Sequence, residues 1–162
     1  MKALSLRQPW AHAVLYGGKR IENRLAWKNS SFRGPFVIHA AKWMTRAEYD
    51  DARAFTGTMC TYPDPTKLVF GALVGRAYVV DVIHSGGVID SGGIAHGYRL
   101  HPLHDDPWYM GGFALVLDDV KAFETPIPFK GALGFFEVPN DVVAMATMDK
   151  AAHAIDTAPG EL

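Results

Sequence analysis

Apolar residues come in short runs broken by glycine, proline and small polar residues, a pattern of many brief strands with few helices between them. Extended segments are predicted at Lys2 to Leu6, Arg20 to Arg24, Pro35 to Ala40, Leu68 to Ile83, Phe113 to Phe123 and Leu133 to Val138. A first helix is predicted from Pro9 to Tyr16, because Pro9 is preset for a first turn and Gly17-Gly18 stops the run. A second is predicted from Thr45 to about Phe55, with Thr45 as cap and Glu48 as its capping-box partner. A third, from Asn140 to about Ile155, carries Val142, Val143, Met145, Ala146 and Met148 at helical spacing and is expected to cover the sheet or to make a homodimer contact. Ser85 to Gly97 reads as a flexible loop and Ala158 to Leu162 as a loose tail. The strand spacing suits an α+β fold: a mixed β-barrel with flanking helices.

Composition narrows the partners. The 162 residues suit one domain, and 49% hydrophobic residues can supply its core. Sixteen basic residues against seventeen acidic ones give a net charge of -1, whereas extended duplex binding needs a strongly basic face. A short single strand of RNA or one nucleotide fits better. The sole cysteine, Cys60, cannot form an internal disulfide. No basic-then-apolar leader and no apolar run long enough for a membrane span are visible, so the cytoplasm is the expected location and no membrane is an expected partner.

Polar residues concentrate at the ends of the first elements. Arg7 and Gln8 leave the first strand just before a helix N-terminus, whose free N–H groups favour an anion such as a phosphate. Trp10 either stacks on an unpaired base or belongs to the core. Strand alternation puts Glu22 and Arg24 on one face, with Lys19 in the turn before them. That trio is either a salt-bridged strand or a site in which a lysine beside a carboxylate activates a water or a ribose hydroxyl. His39 ends a strand and Lys42 follows within three residues. An imidazole there could act as acid or base in RNA cleavage by the 2′-hydroxyl, with Lys42 or Arg24 stabilising the phosphorane charge; it could equally be a structural hydrogen-bonder. Trp108 and Tyr109 precede Gly111-Gly112 and could wall a base pocket or pack in the core. Metal-type ligands gather only at His96, His101, His104, Asp105 and Asp106, spaced as a loop; no metal or other cofactor is expected.

The run from Ser5 to Arg24, then Phe32-Arg33-Gly34-Pro35, Ile38-His39-Ala40-Ala41-Lys42, Gly71-Ala72-Leu73-Val74-Gly75, Trp108 to Phe113 and Pro126 to Gly134, resembles an ASCH domain of the PUA-like superfamily across most of residues 1 to 138. The resemblance implies a small mixed barrel with flanking helices and a cleft that receives RNA or a nucleobase. It places the turn that carries Arg7 and Gln8 at that cleft; Ser5, Arg7, Gln8, Trp10, Arg24, Trp108 and Tyr109 are together the expected RNA contacts, and residues 139 to 162 are expected to form a C-terminal helix and tail on the same domain. Family members that act as acetylcytidine amidohydrolases carry a lysine, a threonine three positions later and a glutamate on a later strand. Lys19 matches; Glu22 stands at the threonine position and Tyr78 at the later one. Two function classes follow: an RNA-directed hydrolase using Lys19, Glu22, His39 and Lys42, either metal-independent and ribonuclease-like or an acetylcytidine amidohydrolase, or a non-catalytic module that binds RNA or a modified base; a structural adaptor is the third reading. Either way Ser5 to Trp10, Lys19 to Arg24 and His39 to Lys42 are expected to border one pocket.

Overall fold

The computed structural model of the chain describes residues 1–24, 31–84, 87–89, 95–96 and 101–144. The strands are β1 (Lys2–Leu6), β2 (Ile21–Arg24), β3 (Gly34–Ala40), β4 (Ala72–His84), β5 (Gly87–Ile89), β6 (Ala95–His96), β7 (Phe113–Pro128) and β8 (Phe135–Glu137). Two helices, α1 (Trp10–Tyr16) and α2 (Arg46–Thr56), lie between the early strands. The sheet runs β2-β7-β4-β3-β1-β8, with β5 paired to β4 and β6 to β5. Only the β1–β3 pair is parallel among the described strands. The α1-containing connection between β1 and β3 makes that direction accessible.

The sheet curls because its longest pair is bent. The β4–β7 register shifts between Leu73 and Gly75, Arg76 and Tyr78, and Val79 and Asp81, and each irregularity adds local twist. Gly75 allows a close approach of the two strands: a Cβ there would sit 2.5 Å from the Lys121 carbonyl oxygen and 2.6 Å from Leu15 Cδ2. The curl brings β2, at one edge, toward β1 near the other, and the Arg24 guanidinium closes the gap with a 3.1 Å hydrogen bond to the Ser5 carbonyl. Ser5 lies just past the β1–β8 register, which ends at Leu4, so its carbonyl is there to accept. Leu4, Leu6, Phe36, Ile38, Val79, Leu115 and Leu117 fill the interior. A second cluster under α1 and α2 contains Ile21, Tyr49, Tyr62 and Trp108.

Local chemistry places the helices where the pattern predicts them. The Thr45 hydroxyl accepts from the Glu48 amide at 3.1 Å, and the Glu48 carboxylate accepts from the Thr45 amide at 2.7 Å. At α1 the Gln8 side-chain oxygen accepts from the His12 amide at 3.1 Å, satisfying one of the helix's first free N–H groups.

The strand ends move. β4 begins at Ala72 instead of Leu68, because Asp64 caps a 3-10 turn at Pro65–Lys67 through a 2.9 Å bond from the Thr66 amide. β7 continues past Phe123 to Pro128 by pairing with Ala72 and Leu73. Within the stretch read as a loop, Val88 pairs with Ile83 and His96; the apolar pair Val88-Ile89 was the signal for it.

The predicted C-terminal helix lies outside the described residues from 145 onward. Its first turn packs on the sheet, where Val138 and Val143 are buried with Ala3, Val37 and Leu73.

Candidate functional site

The seam between β1 and β2 is built on Lys19. After Gly17-Gly18 ends α1, the Lys19 amide bonds the Ala13 carbonyl at 3.1 Å, which turns the side chain under the helix until it is 2% exposed. Its ammonium donates to the Ile21 carbonyl and, at 2.8 Å, to Glu22 Oε2. It also lies 5.8 Å from the centroid of the Trp10 ring, within cation–π range. Glu22 is 8% exposed, and its other oxygen is 3.4 Å from Arg24. Alternation along β2 sets Glu22 and Arg24 on one face, as the sequence predicts. The result is a row of two cations around one carboxylate, almost dry at Lys19 and Glu22 and partly exposed at Arg24. Such a row is expensive to desolvate and is held by its reciprocal contacts.

Ser5 joins this row to His39. The two are register partners in the parallel β1–β3 pair, so their side chains stand next to each other, with Ser5 Oγ 3.0 Å from His39 Nδ1. The other ring nitrogen, Nε2, lies 3.0 Å from the Phe129 carbonyl oxygen. A carbonyl accepts only, so Nε2 carries the proton, and the single Ser5 hydroxyl proton is shared between Nδ1 of the neutral ring and the Ala132 carbonyl, 3.2 Å from Ser5 Oγ. Gly131 sits against this pair: a Cβ there would meet His39 Cε1 at 2.4 Å and Ser5 Oγ at 2.7 Å. Burial pushes the imidazole pKa below its usual value, partly opposed by the Phe129 bond. His39 therefore ties residues 129–132 to the sheet, and both of its nitrogens are committed.

The remaining sequence candidates divide. Arg7 is exposed, paired with Glu48, with its guanidinium 4.7 Å from the Trp43 ring centroid. Trp43 is 57% exposed and escaped the sequence reading; a large aromatic between Lys42 and a helix cap was the available sign. Gln8 is buried, donating to the Val69 carbonyl at 2.8 Å. Trp10 is half-buried, edge-on to Phe55 at 5.9 Å. Lys42 is exposed, its stem beside Gly71. Trp108 belongs to the core, and Tyr109 donates its hydroxyl proton to the Gly112 carbonyl at 2.7 Å. Asn23, also missed, holds that loop to β2: its amide donates to the Trp108 carbonyl at 2.8 Å and accepts from the Met110 amide at 2.9 Å.

Of the histidine-rich stretch, His101 is taken up structurally. His101 Nδ1 accepts from the Leu103 amide at 3.0 Å and Nε2 faces Asp81 at 3.1 Å, while Arg33 pairs with the other Asp81 oxygen at 2.7 Å. Among the described residues no group of three His, Cys, Asp or Glu side chains is placed to hold a metal ion. His96 lies outside the residues whose side chains are described.

A curled mixed sheet with flanking helices, closed at one seam by an arginine, is a PUA-like α+β architecture. The chain belongs to the ASCH domain family, whose model matches residues 4–96, more than half of its length. Crystal structures of ASCH from Zymomonas mobilis are similar over most of both chains. One, of a serine-to-alanine variant, has 15% identity, covers 90% of this chain and 93% of its own, and has a TM-score of 0.44. Another, described as ASCH from the same organism, has 15% identity, 91% and 93% coverage and a TM-score of 0.43. No curated protein matches the chain. Among the described residues no helix is long and apolar enough to cross a membrane.

Proposed function

We propose that the protein binds single-stranded RNA or a nucleotide at the β1–β2 seam and cleaves bound RNA without a metal in a ribonuclease-like transesterification, using Lys19 and Glu22 as the proton-transfer pair. The observation that carries this reading is the buried Lys19–Glu22 ion pair held 2.8 Å apart beside Arg24. A fold gains little from such a pair, since apolar residues of similar size commonly serve as well. Membership of a family whose fold is generally RNA-binding supports the choice of ligand.

Chemically, Glu22 takes the proton of a ribose 2′-hydroxyl as its oxygen attacks the adjacent phosphorus. The bond from phosphorus to the 5′-oxygen breaks, and that oxygen leaves with a proton from the Lys19 ammonium. Arg24 stabilises the charge that grows on the phosphorane. Proton transfer from Glu22 back to Lys19 restores the pair and leaves a 2′,3′-cyclic phosphate. His39 has no part in this scheme, because Ser5 and Phe129 occupy both ring nitrogens.

The test is incubation of the purified protein with a short single-stranded RNA in EDTA, with analysis of the product ends. Cyclic phosphate ends should form, a strand with deoxyribose at the scissile position should resist, and Lys19→Met with Glu22→Gln should lower the rate about a hundredfold or more. Binding without any cleavage would make the seam a recognition site. Cleavage abolished by EDTA would refute the scheme.

A further inference from the structure

A cavity of about 300 Å³, separate from the Lys19 row, opens beside α1 and is lined among others by Gln8, His12, Tyr16, Lys67, Val69 and Phe123. We propose that this cavity binds one nucleobase of a single-stranded RNA or nucleotide, with His12 and Tyr16 as its aromatic wall, the Gln8 amide at the base edge and Lys67 on the phosphate. The inference rests on the RNA reading given above and adds a base subsite to it.

Shape and chemistry select that ligand. Small-molecule sites run from about 300 to 1,000 Å³, so this one has room for a single ring system and not for a dinucleotide. The His12 and Tyr16 rings lie 4.9 Å apart, and His12 also meets Tyr62 edge-on at 6.1 Å, so the wall is braced from behind. Tyr16 is largely exposed and buries little in the protein itself. Neither His12 ring nitrogen has a hydrogen-bond partner among the described residues, although burial depresses its pKa and keeps the ring neutral, with one donor and one acceptor to offer.

Gln8 is held rigidly by the Val69 carbonyl at 2.8 Å and the His12 amide at 3.1 Å. That leaves one amide proton and one lone pair of its oxygen for a ligand. An aliphatic side chain in the cavity would cover these polar groups without satisfying them; a base edge satisfies them. Lys67 stands at the rim and makes no ion pair among the described residues, which suits the phosphate attached to a bound base.

The experiment is an NMR titration of the full chain with cytidine and adenosine 5′-monophosphates, read at the His12 and Tyr16 ring resonances. Both rings should shift, and Tyr16→Ala, at a position that buries little, should weaken binding about tenfold, the loss expected for one base–aromatic stack. The Lys19→Met, Glu22→Gln protein should keep these shifts, because its substitutions lie at the other site. Shifts confined to Glu22 and Arg24 would overturn the base subsite and leave the seam reading standing. No shift anywhere at millimolar nucleotide would overturn both. Nucleotide affinity unchanged by Tyr16→Ala would also refute the subsite.

Discussion

Lys19 and Glu22 are three residues apart in the chain and in contact in space, and they cannot be tested one at a time. Removing one partner leaves an uncompensated charge in an almost dry site. Lys19→Ala should therefore cost about 3–5 kcal/mol of stability, and thermal melts should show the Lys19→Met, Glu22→Gln protein much closer to the parent than Lys19→Ala. Equal losses would mean that water reaches the pair and screens it. The histidines set a pH window of their own. Burial lowers the folded-state pKa of both His39 and His12 from 6.5, so below about pH 6.5 the unfolded chain binds more protons than the folded one. Stability is complete above that pH and falls as the pH drops toward the folded-state values. Urea unfolding at stepped pH checks the direction, and a His39→Gln variant should show a smaller fall over that window. Gly131→Ala forces a methyl group into the His39 ring and should destabilise by about 1–3 kcal/mol.

Among the elements, α2 was readable in full from local letters. Thr45 and Glu48 form the capping box that their spacing announces, and Thr45→Ala should lower stability by about 1 kcal/mol in denaturant titrations while leaving RNA affinity unchanged. A change in affinity would point to the Glu48–Arg7 contact as part of the binding surface. Strand cores were equally readable, since β1 and β3 run where their apolar stretches predict. Their ends were not. The strand predicted from Leu68 starts at Ala72 because Asp64 closes a turn three residues wide, and β7 outlasts its apolar stretch because Ala72 and Leu73 supply partners for Ile127 and Pro128. Strand length depends on who pairs, and that is decided far away in sequence.

For the whole molecule, net charge of -1 predicts weak, salt-sensitive binding concentrated on a few cations. Removing one phosphate-binding cation should flatten the slope of log affinity against log salt by about 0.7 for a single strand, so Arg7→Ala should do so if RNA passes over the Arg7–Trp43 stack. Fluorescence anisotropy with labelled RNA in rising salt measures it, and an unchanged slope removes that stack from the interface. The sequence by itself determined the family, the α+β class, the helix starts and the shared face of Glu22 and Arg24, because motif, cap and alternation act within a few residues. The tertiary structure alone decided that Arg24 reaches Ser5 across the seam and that His39 is bound by Ser5 and Phe129. Those outcomes depend on how far the bent β4–β7 pair curls the sheet, and on contacts between residues as distant as His39 and Phe129. Pairing and curvature are summed over the whole sheet, so no local stretch of the sequence carries them.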